Sequence, residues 1–178
     1  MKKNEISEKA HNNAVVHGFW AERKSNEHCL MLICTEVAEL IEADREDKWA
    51  DMSAFESSMS VGSSFEWAFE NCLKNTFEDE FADIYIRLAD LAGALGVDFE
   101  KMSPCRYFRA FDKFSFTENA FALVKGLSKD KIGIEKRIQF GMDFVENWAS
   151  EQVVNLELYV KLKMQYNQQR EEMHGKKY

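Results

Sequence analysis

The chain has 178 residues, of which 46% are hydrophobic and 30% are charged, and its formal net charge at pH 7 is −8. This length suits one domain with a sizeable hydrophobic core. The negative charge argues against a nucleic-acid-binding surface, and no apolar run approaches the roughly 18 residues expected of a membrane-spanning helix.

The N-terminal sequence and the cysteines indicate the compartment. The first residues contain no apolar stretch of the kind found in secretory signal peptides. Cys29, Cys34, Cys72 and Cys105 form no CxxC pair, so the sequence does not predict a zinc site. They are typical of small buried side chains under reducing conditions. We therefore expect a cytoplasmic protein.

The first half of the chain predicts helices. With one proline and eight glycines, the sequence favours long helices over turn-rich structure. The first predicted helix covers residues 4–16, and a second runs from a cap at Ser25 to about Arg45. Residues 47–75 look irregular around a Ser/Gly centre, with one short helix near 64–74.

The next helix is predicted from its two ends. Thr76 and Asp79 have the spacing of a capping box at its start. Gly96 has the position of a C-terminal cap, just after an end near Leu95.

The second half of the chain predicts further helices. A Ser-Pro pair at 103–104 indicates one helix start, and Ser115 with Glu118 forms another capping box. Two long helices are predicted at 130–148 and 150–171. No segment alternates convincingly between apolar and polar residues, so the sequence predicts an all-α fold. We expect one domain over residues 1–178, with an irregular insertion at about 47–75.

Two acidic pairs are the main chemical feature. Glu36 and Glu39 lie in TEVAELIEADR, and Glu80 and Asp83 lie in EDEFADIYIRLADL. Residues three apart share one helix face, and each pair lies at the edge of an apolar stripe. Two such helices packed together would crowd four carboxylates, which favours a compensating cation such as Mg²⁺. The alternative is two amphipathic helices with acidic flanks, since other acidic pairs at this spacing occur elsewhere in the chain.

Arg87 follows Asp83 by one helical turn, which leaves two interpretations open. It forms an i,i+4 salt bridge with Asp83, or it clamps a phosphate and orients that carboxylate.

Four sequence blocks, in the right order, resemble the MazG-like, all-α nucleoside triphosphate pyrophosphohydrolase superfamily, in its single-domain phage and bacterial form. They are HGFW at 17–20, TEVAELIEADR, DEFADIYIRLADLAGALGVDFE and the C-terminal KMQYNQQREEMHGKKY. Together they cover roughly half the chain. The connection between Glu39 and Glu80 is longer than is usual in the family, so substrate contacts within 47–75 cannot be carried over.

The resemblance implies a bundle of antiparallel helices and a Mg²⁺-dependent reaction, with Mn²⁺ as a possible substitute. A nucleoside or deoxynucleoside triphosphate would be hydrolysed to a monophosphate and pyrophosphate, as nucleotide-pool housecleaning. Glu36, Glu39, Glu80 and Asp83 would be the catalytic metal ligands, and one of the glutamates, for example Glu39, would also orient or deprotonate the attacking water. A narrower dUTP or dCTP hydrolase and a non-catalytic helical interaction protein are the alternatives.

The last block matches the family's K-x₃-N-x₂-R pattern. It implies that Lys163, Asn167 and Arg170 bind the triphosphate from one helix face. Lys176, in the HGKKY tail, is a further candidate for the same role.

The HGFW block implies contacts with the nucleoside part of the substrate. Trp20 would stack on the base, or it is an anchor of the core. His17 is a second candidate for substrate binding. The resemblance also implies a homo-oligomer, a dimer or a tetramer, with no nucleic-acid or membrane partner.

Overall fold

The computed structural model describes residues 2–103 and 109–171, and within these ranges the protein contains eight α-helices and no β-strand. The prediction of an all-α fold is confirmed for this part of the chain. The helices are α1 (Lys3–Val16), α2 (Asn26–Arg45), α3 (Met52–Ser60), α4 (Phe65–Cys72), α5 (Phe77–Ala94), α6 (Phe116–Leu127), α7 (Ile134–Glu151) and α8 (Leu156–Asn167). A short 3₁₀ helix, Phe111–Lys113, precedes α6.

Helix α5 is the centre of the fold. Twelve of its 18 residues are buried, so apolar contacts surround it rather than covering one face. It packs against α1, α2, α7 and α8. Phe81 lies edge-on to Trp148 of α7 with ring centroids 5.1 Å apart, and Leu88 lies beside Gly141 of the same helix. From Phe81 to Leu88 the residue number rises along α5, whereas from Trp148 to Gly141 it falls along α7. The two helices are therefore antiparallel.

Several predicted helix ends are confirmed. Ser25 caps α2, where its Oγ accepts a hydrogen bond of 3.1 Å from the backbone N–H of His28. Ser115 and Glu118 form the predicted capping box at the start of α6. Gly96 follows the last turn of α5 with a φ of 64°, a left-handed conformation that glycine adopts without a Cβ penalty.

The predicted capping box at the start of α5 is wrong. Thr76 is the N-cap residue, but its side chain caps no N–H of the helix, and its hydroxyl donates instead to the carbonyl oxygen of Leu73 at 2.6 Å. The Asp79 carboxylate accepts from the backbone N–H of Asn75 at 3.0 Å and pairs with Lys163 of α8. A tertiary ion pair has replaced the local motif.

Residues 47–75 are more ordered than the sequence predicted. The helix expected near 64–74 is observed as α4, but α3 was not expected. It forms because Asp51 caps it, accepting from the N–H of Ala54 at 2.8 Å, and because Phe55 is buried.

The last two helices are shorter than predicted and are separated by a turn at 152–155. The helix start predicted at 103–104 lies at and beyond the edge of the first described range. Among the described helices, none combines the length and the apolar character needed to cross a membrane.

A close approach of α1 to α5 is needed to bring the N-terminal helix to the centre of the fold. A Cβ atom added at Gly93 would lie 2.5 Å from the carbonyl oxygen of Ser7 and 2.6 Å from Cβ of His11. Only glycine permits this contact.

We therefore predict that Gly93→Ala lowers the free energy of unfolding by about 1–3 kcal/mol, the usual cost of overpacking. Chemical denaturation measures it. Gly133→Ala is the control, because a Cβ there meets no atom within 4 Å. Gly133 is the N-cap residue of α7. Alanine caps a helix less well than glycine, which lowers stability, but it also reduces the conformational entropy of the unfolded chain, which raises stability. The expected change in the free energy of unfolding is therefore within about 0.5 kcal/mol. Equal losses in the two variants would contradict the close approach.

Candidate metal and phosphate site

Three carboxylates meet between α2 and α5. Glu36, Glu80 and Asp83 each offer one oxygen, and these oxygens all lie within 4.8 Å of one another. Glu36 and Glu80 are buried, and the Asp83 side chain is 21% exposed. We call this group the carboxylate cluster.

The sequence of α2 explains why Glu36 is buried. Its buried residues recur at helical spacing, and Glu36 lies within that stripe, between Ile33 and Leu40. The stripe faces α5, so the Glu36 carboxylate is directed towards the carboxylates of that helix. Glu39 is exposed and lies outside the cluster. It lines a pocket next to the cluster, which is described below.

Glu80 lies in an unfavourable environment for a charged group. Burial, followed by the nearby charges of Asp83 and Asp79, raises the pKa of Glu80 to about 9. Its Oε2 is buried and has no hydrogen-bond partner among the described residues. Burial and Asp83 likewise raise the pKa of Glu36. A buried polar atom without a partner is costly, so the cluster is suited to binding a cation.

Two basic side chains already contact the cluster. Arg87 forms an ion pair with Glu36 across the helix interface. The i,i+4 bridge with Asp83, one of the two interpretations of the sequence, is not formed. Lys163 of α8 lies 2.7 Å from Asp79 and 2.6 Å from Asp83, and only 6% of its side chain is exposed. Burial opposes the charge on Lys163, but Asp83 and Asp79 more than offset this and raise its pKa.

A pocket of about 190 Å³ opens beside the cluster. It lies between α1, α2, α5 and α8, with contributions from the α1–α2 loop and the turn before α5. Side chains of both charges line it. The basic ones are Lys24, Lys74, Arg87, Lys163 and Arg170, and the acidic ones are Glu36, Glu39, Asp83 and Asp90. Glu80 does not line the pocket and lies behind its wall.

The other end of the pocket is aromatic. Trp20 lines it, and its Nε1–H donates to Oδ1 of Asp90 at 2.9 Å, while His11 Nδ1 lies 2.9 Å from the same oxygen. Asp90 follows Asp83 by about two helical turns, or about 10 Å along α5. The pocket therefore has a charged end at the cluster and an aromatic end at Trp20 and Phe19.

The remaining predicted substrate residues have different positions. Asn167 and Arg170 line the pocket, and Asn167 Oδ1 is buried without a hydrogen-bond partner among the described residues. His17 is buried, its Nδ1 lies 2.8 Å from the carbonyl oxygen of Asn13, and it does not line the pocket. Lys176 lies outside the described residues.

Sequence reasoning missed several residues at the site. Asp79 is within the cluster's charge network, and its position one turn before Asp83 on the same helix face was the available signal. Lys74 and Asn75 reach the pocket from the end of the segment 47–75. Asn75 has a φ of 57°, a left-handed conformation that asparagine tolerates, but only the folded chain shows that this turn faces the pocket.

Comparisons with protein-family models, with curated proteins and with solved structures give no match to this chain. The function of the site is therefore inferred from its own geometry and from the sequence blocks described above.

The buried Glu80 has a consequence for stability in the absence of metal. Its pKa in the folded protein, about 9, lies above the ordinary 4.5, so between these values the folded state holds a proton that the unfolded chain releases. Linkage then lowers stability as the pH rises through this range.

We predict that the melting temperature in EDTA falls from pH 5 to pH 9, and falls less steeply in Glu80→Gln, which cannot ionise. Differential scanning calorimetry at several pH values measures this. Glu42→Gln, an exposed change on α2, should keep the wild-type slope. Identical slopes in all three proteins would show that Glu80 is not in the environment described.

Proposed function

We propose that this protein is a divalent-cation-dependent hydrolase that converts a nucleoside triphosphate to a monophosphate and pyrophosphate. The observation that carries the proposal is the carboxylate cluster, with its unpartnered Glu80 oxygen, at the wall of a pocket lined by basic side chains.

The donor set suits Mg²⁺ or Mn²⁺. Both ions prefer oxygen ligands, and Glu36, Glu80 and Asp83 supply three carboxylates close together. The buried Glu80 oxygen is the kind of atom that a bound cation would satisfy. When bound, the ion would neutralise charge on the phosphate oxygens during hydrolysis.

The chain's own basic and amide groups would hold the polyphosphate. Lys163 and Arg87 line the charged end of the pocket. Asn167, the last residue of α8, and Arg170, just beyond that helix, extend this surface. Charged donors form strong hydrogen bonds to phosphate oxygens, and a partly enclosed site strengthens them. The acidic side chains at the charged end of the pocket would repel a polyphosphate in the absence of a cation, so we expect the activity to require a metal.

The aromatic end of the pocket would take the base. Trp20 is fixed by its hydrogen bond to Asp90 and lies beside Phe19, so a planar base can pack there. Stacking tolerates different bases. Selectivity, including a preference for dUTP or dCTP, would then depend on polar groups around this end, such as Asn13.

Glu39 would orient or deprotonate the attacking water. It lines the pocket, is exposed, and lies one helical turn beyond Glu36. Its carboxylate oxygen can accept the proton that water loses on attacking the α-phosphorus.

We predict that purified protein with Mg²⁺ releases pyrophosphate, not orthophosphate, from at least one member of a panel of ribo- and deoxynucleoside triphosphates. Asp83→Asn and Glu39→Gln should each lower kcat by at least about 10–100-fold. Losses of this size are seen even for residues that only hydrogen-bond to a metal ligand. Their helical circular dichroism should be retained. Glu42→Gln is the matched control and should keep full activity, since Glu42 pairs with Arg45 away from the pocket.

Full activity of Asp83→Asn would remove that residue from the ligand set. Orthophosphate as the product would indicate a different phosphohydrolase. No product from any nucleotide, in folded protein with Mg²⁺ or Mn²⁺, would contradict the proposal and favour a non-catalytic helical interaction protein.

A further inference from the structure

The ammonium group of Lys163 is held by two aspartates. Its Nζ lies 2.7 Å from Oδ2 of Asp79 and 2.6 Å from Oδ2 of Asp83. Asp79 is itself 1% exposed and is fixed by the backbone N–H of Asn75. The lysine therefore has a defined position before any ligand binds.

We propose that Lys163 is a built-in cation that replaces a second metal ion, held in place by Asp79 as a positioning residue, so that the carboxylate cluster binds a single divalent ion. This inference rests on the proposed function and specifies its cofactor requirement.

The first argument is the use of the carboxylate oxygens. One oxygen of Asp83 is taken by Lys163, and one oxygen of Glu36 is taken by Arg87. Four of the six carboxylate oxygens in the cluster remain for a metal ion. A second divalent ion beside Asp83 would have to approach the ammonium group of Lys163, and like charges repel at this range.

The second argument is the donor count of lysine. An ammonium group has three N–H donors, and Asp79 and Asp83 accept two of them. Lys163 also lines the pocket, and a phosphate oxygen bound there is the acceptor that we assign to its third donor. In this position it offsets phosphate charge, which is the role that a second ion would otherwise have.

Asp79 cannot act by touching the substrate, because it does not line the pocket. Its role is exerted through Lys163, whose charge it balances and whose position it fixes. It lies in the first turn of α5, where the helix dipole favours a negative charge.

The first test counts metal ions. Mn²⁺ titration of the wild-type protein without added polyphosphate, followed by electron paramagnetic resonance of free Mn²⁺, should give one bound ion per chain. Two ions per chain would overturn the inference and leave the proposed function standing. No bound Mn²⁺ would overturn both.

The second test removes the ion pair without changing the net charge. The double variant Asp79→Asn/Lys163→Met should still bind Mn²⁺ at least as tightly as wild type, because Asp83 is released. Its affinity for tripolyphosphate in saturating Mn²⁺ should fall at least about tenfold, the loss expected for one charge-assisted hydrogen bond. Asp79→Asn alone should lose less, because Lys163 remains but is no longer fixed.

The matched control is Glu157→Gln/Lys161→Met, which removes an exposed ion pair of 2.8 Å on the same helix. It should leave both affinities unchanged. A tripolyphosphate affinity equal to wild type in the folded double variant would show that the Asp79–Lys163 pair is structural only. If that variant does not fold by circular dichroism, the ion count of the wild-type protein decides the inference.

Discussion

Mutual repulsion among buried carboxylates is the constraint on which the rest of this structure depends. Glu36 and Glu80 are almost fully buried within reach of Asp83, and Glu80 has an oxygen with no partner among the described residues. Such a group destabilises the folded chain unless a cation or a proton compensates it. Buried carboxylates that repel one another beside a pocket are more typical of a binding site than of a hydrophobic core.

The fold supplies partial compensation from its own side chains. Arg87 comes from α5 itself and Lys163 from α8, and each pairs with one member of the cluster. These pairs reduce the repulsion enough for the helices to pack, yet they leave Glu80 without a partner. The same two basic groups face the pocket, so the charges that stabilise the cluster are those that would hold a polyphosphate.

The sequence predicted much of this arrangement, for physical reasons. The helical period is a local property, so α1, α2, α5 and the acidic residues on their faces could be located. Glu36 and Glu39 were expected to act together, but residues three apart point about 60° apart around a helix, and only Glu36 enters the interface. The sequence could not distinguish an edge position from a buried one.

Non-local pairing explains the main errors. Asp79 has the spacing of a capping residue, and nothing nearby in the chain indicates that its partner is Lys163, far along the sequence in α8. Lys74 and Asn75 lie at the end of the segment 47–75, which has no clear periodicity, and their approach to the pocket depends on how α4 packs. The sequence named Arg87 and Lys163 as candidates beside the carboxylates, but it did not indicate the ion pairs that they form with Glu36, Asp79 and Asp83.

The most direct test is anomalous diffraction from a crystal grown with Mn²⁺. The account predicts a peak bridging Glu36, Glu80 and Asp83, with carboxylate oxygens about 2 Å from the ion. Carboxylates turned towards solvent in a fully resolved site, with no peak between α2 and α5, would contradict it.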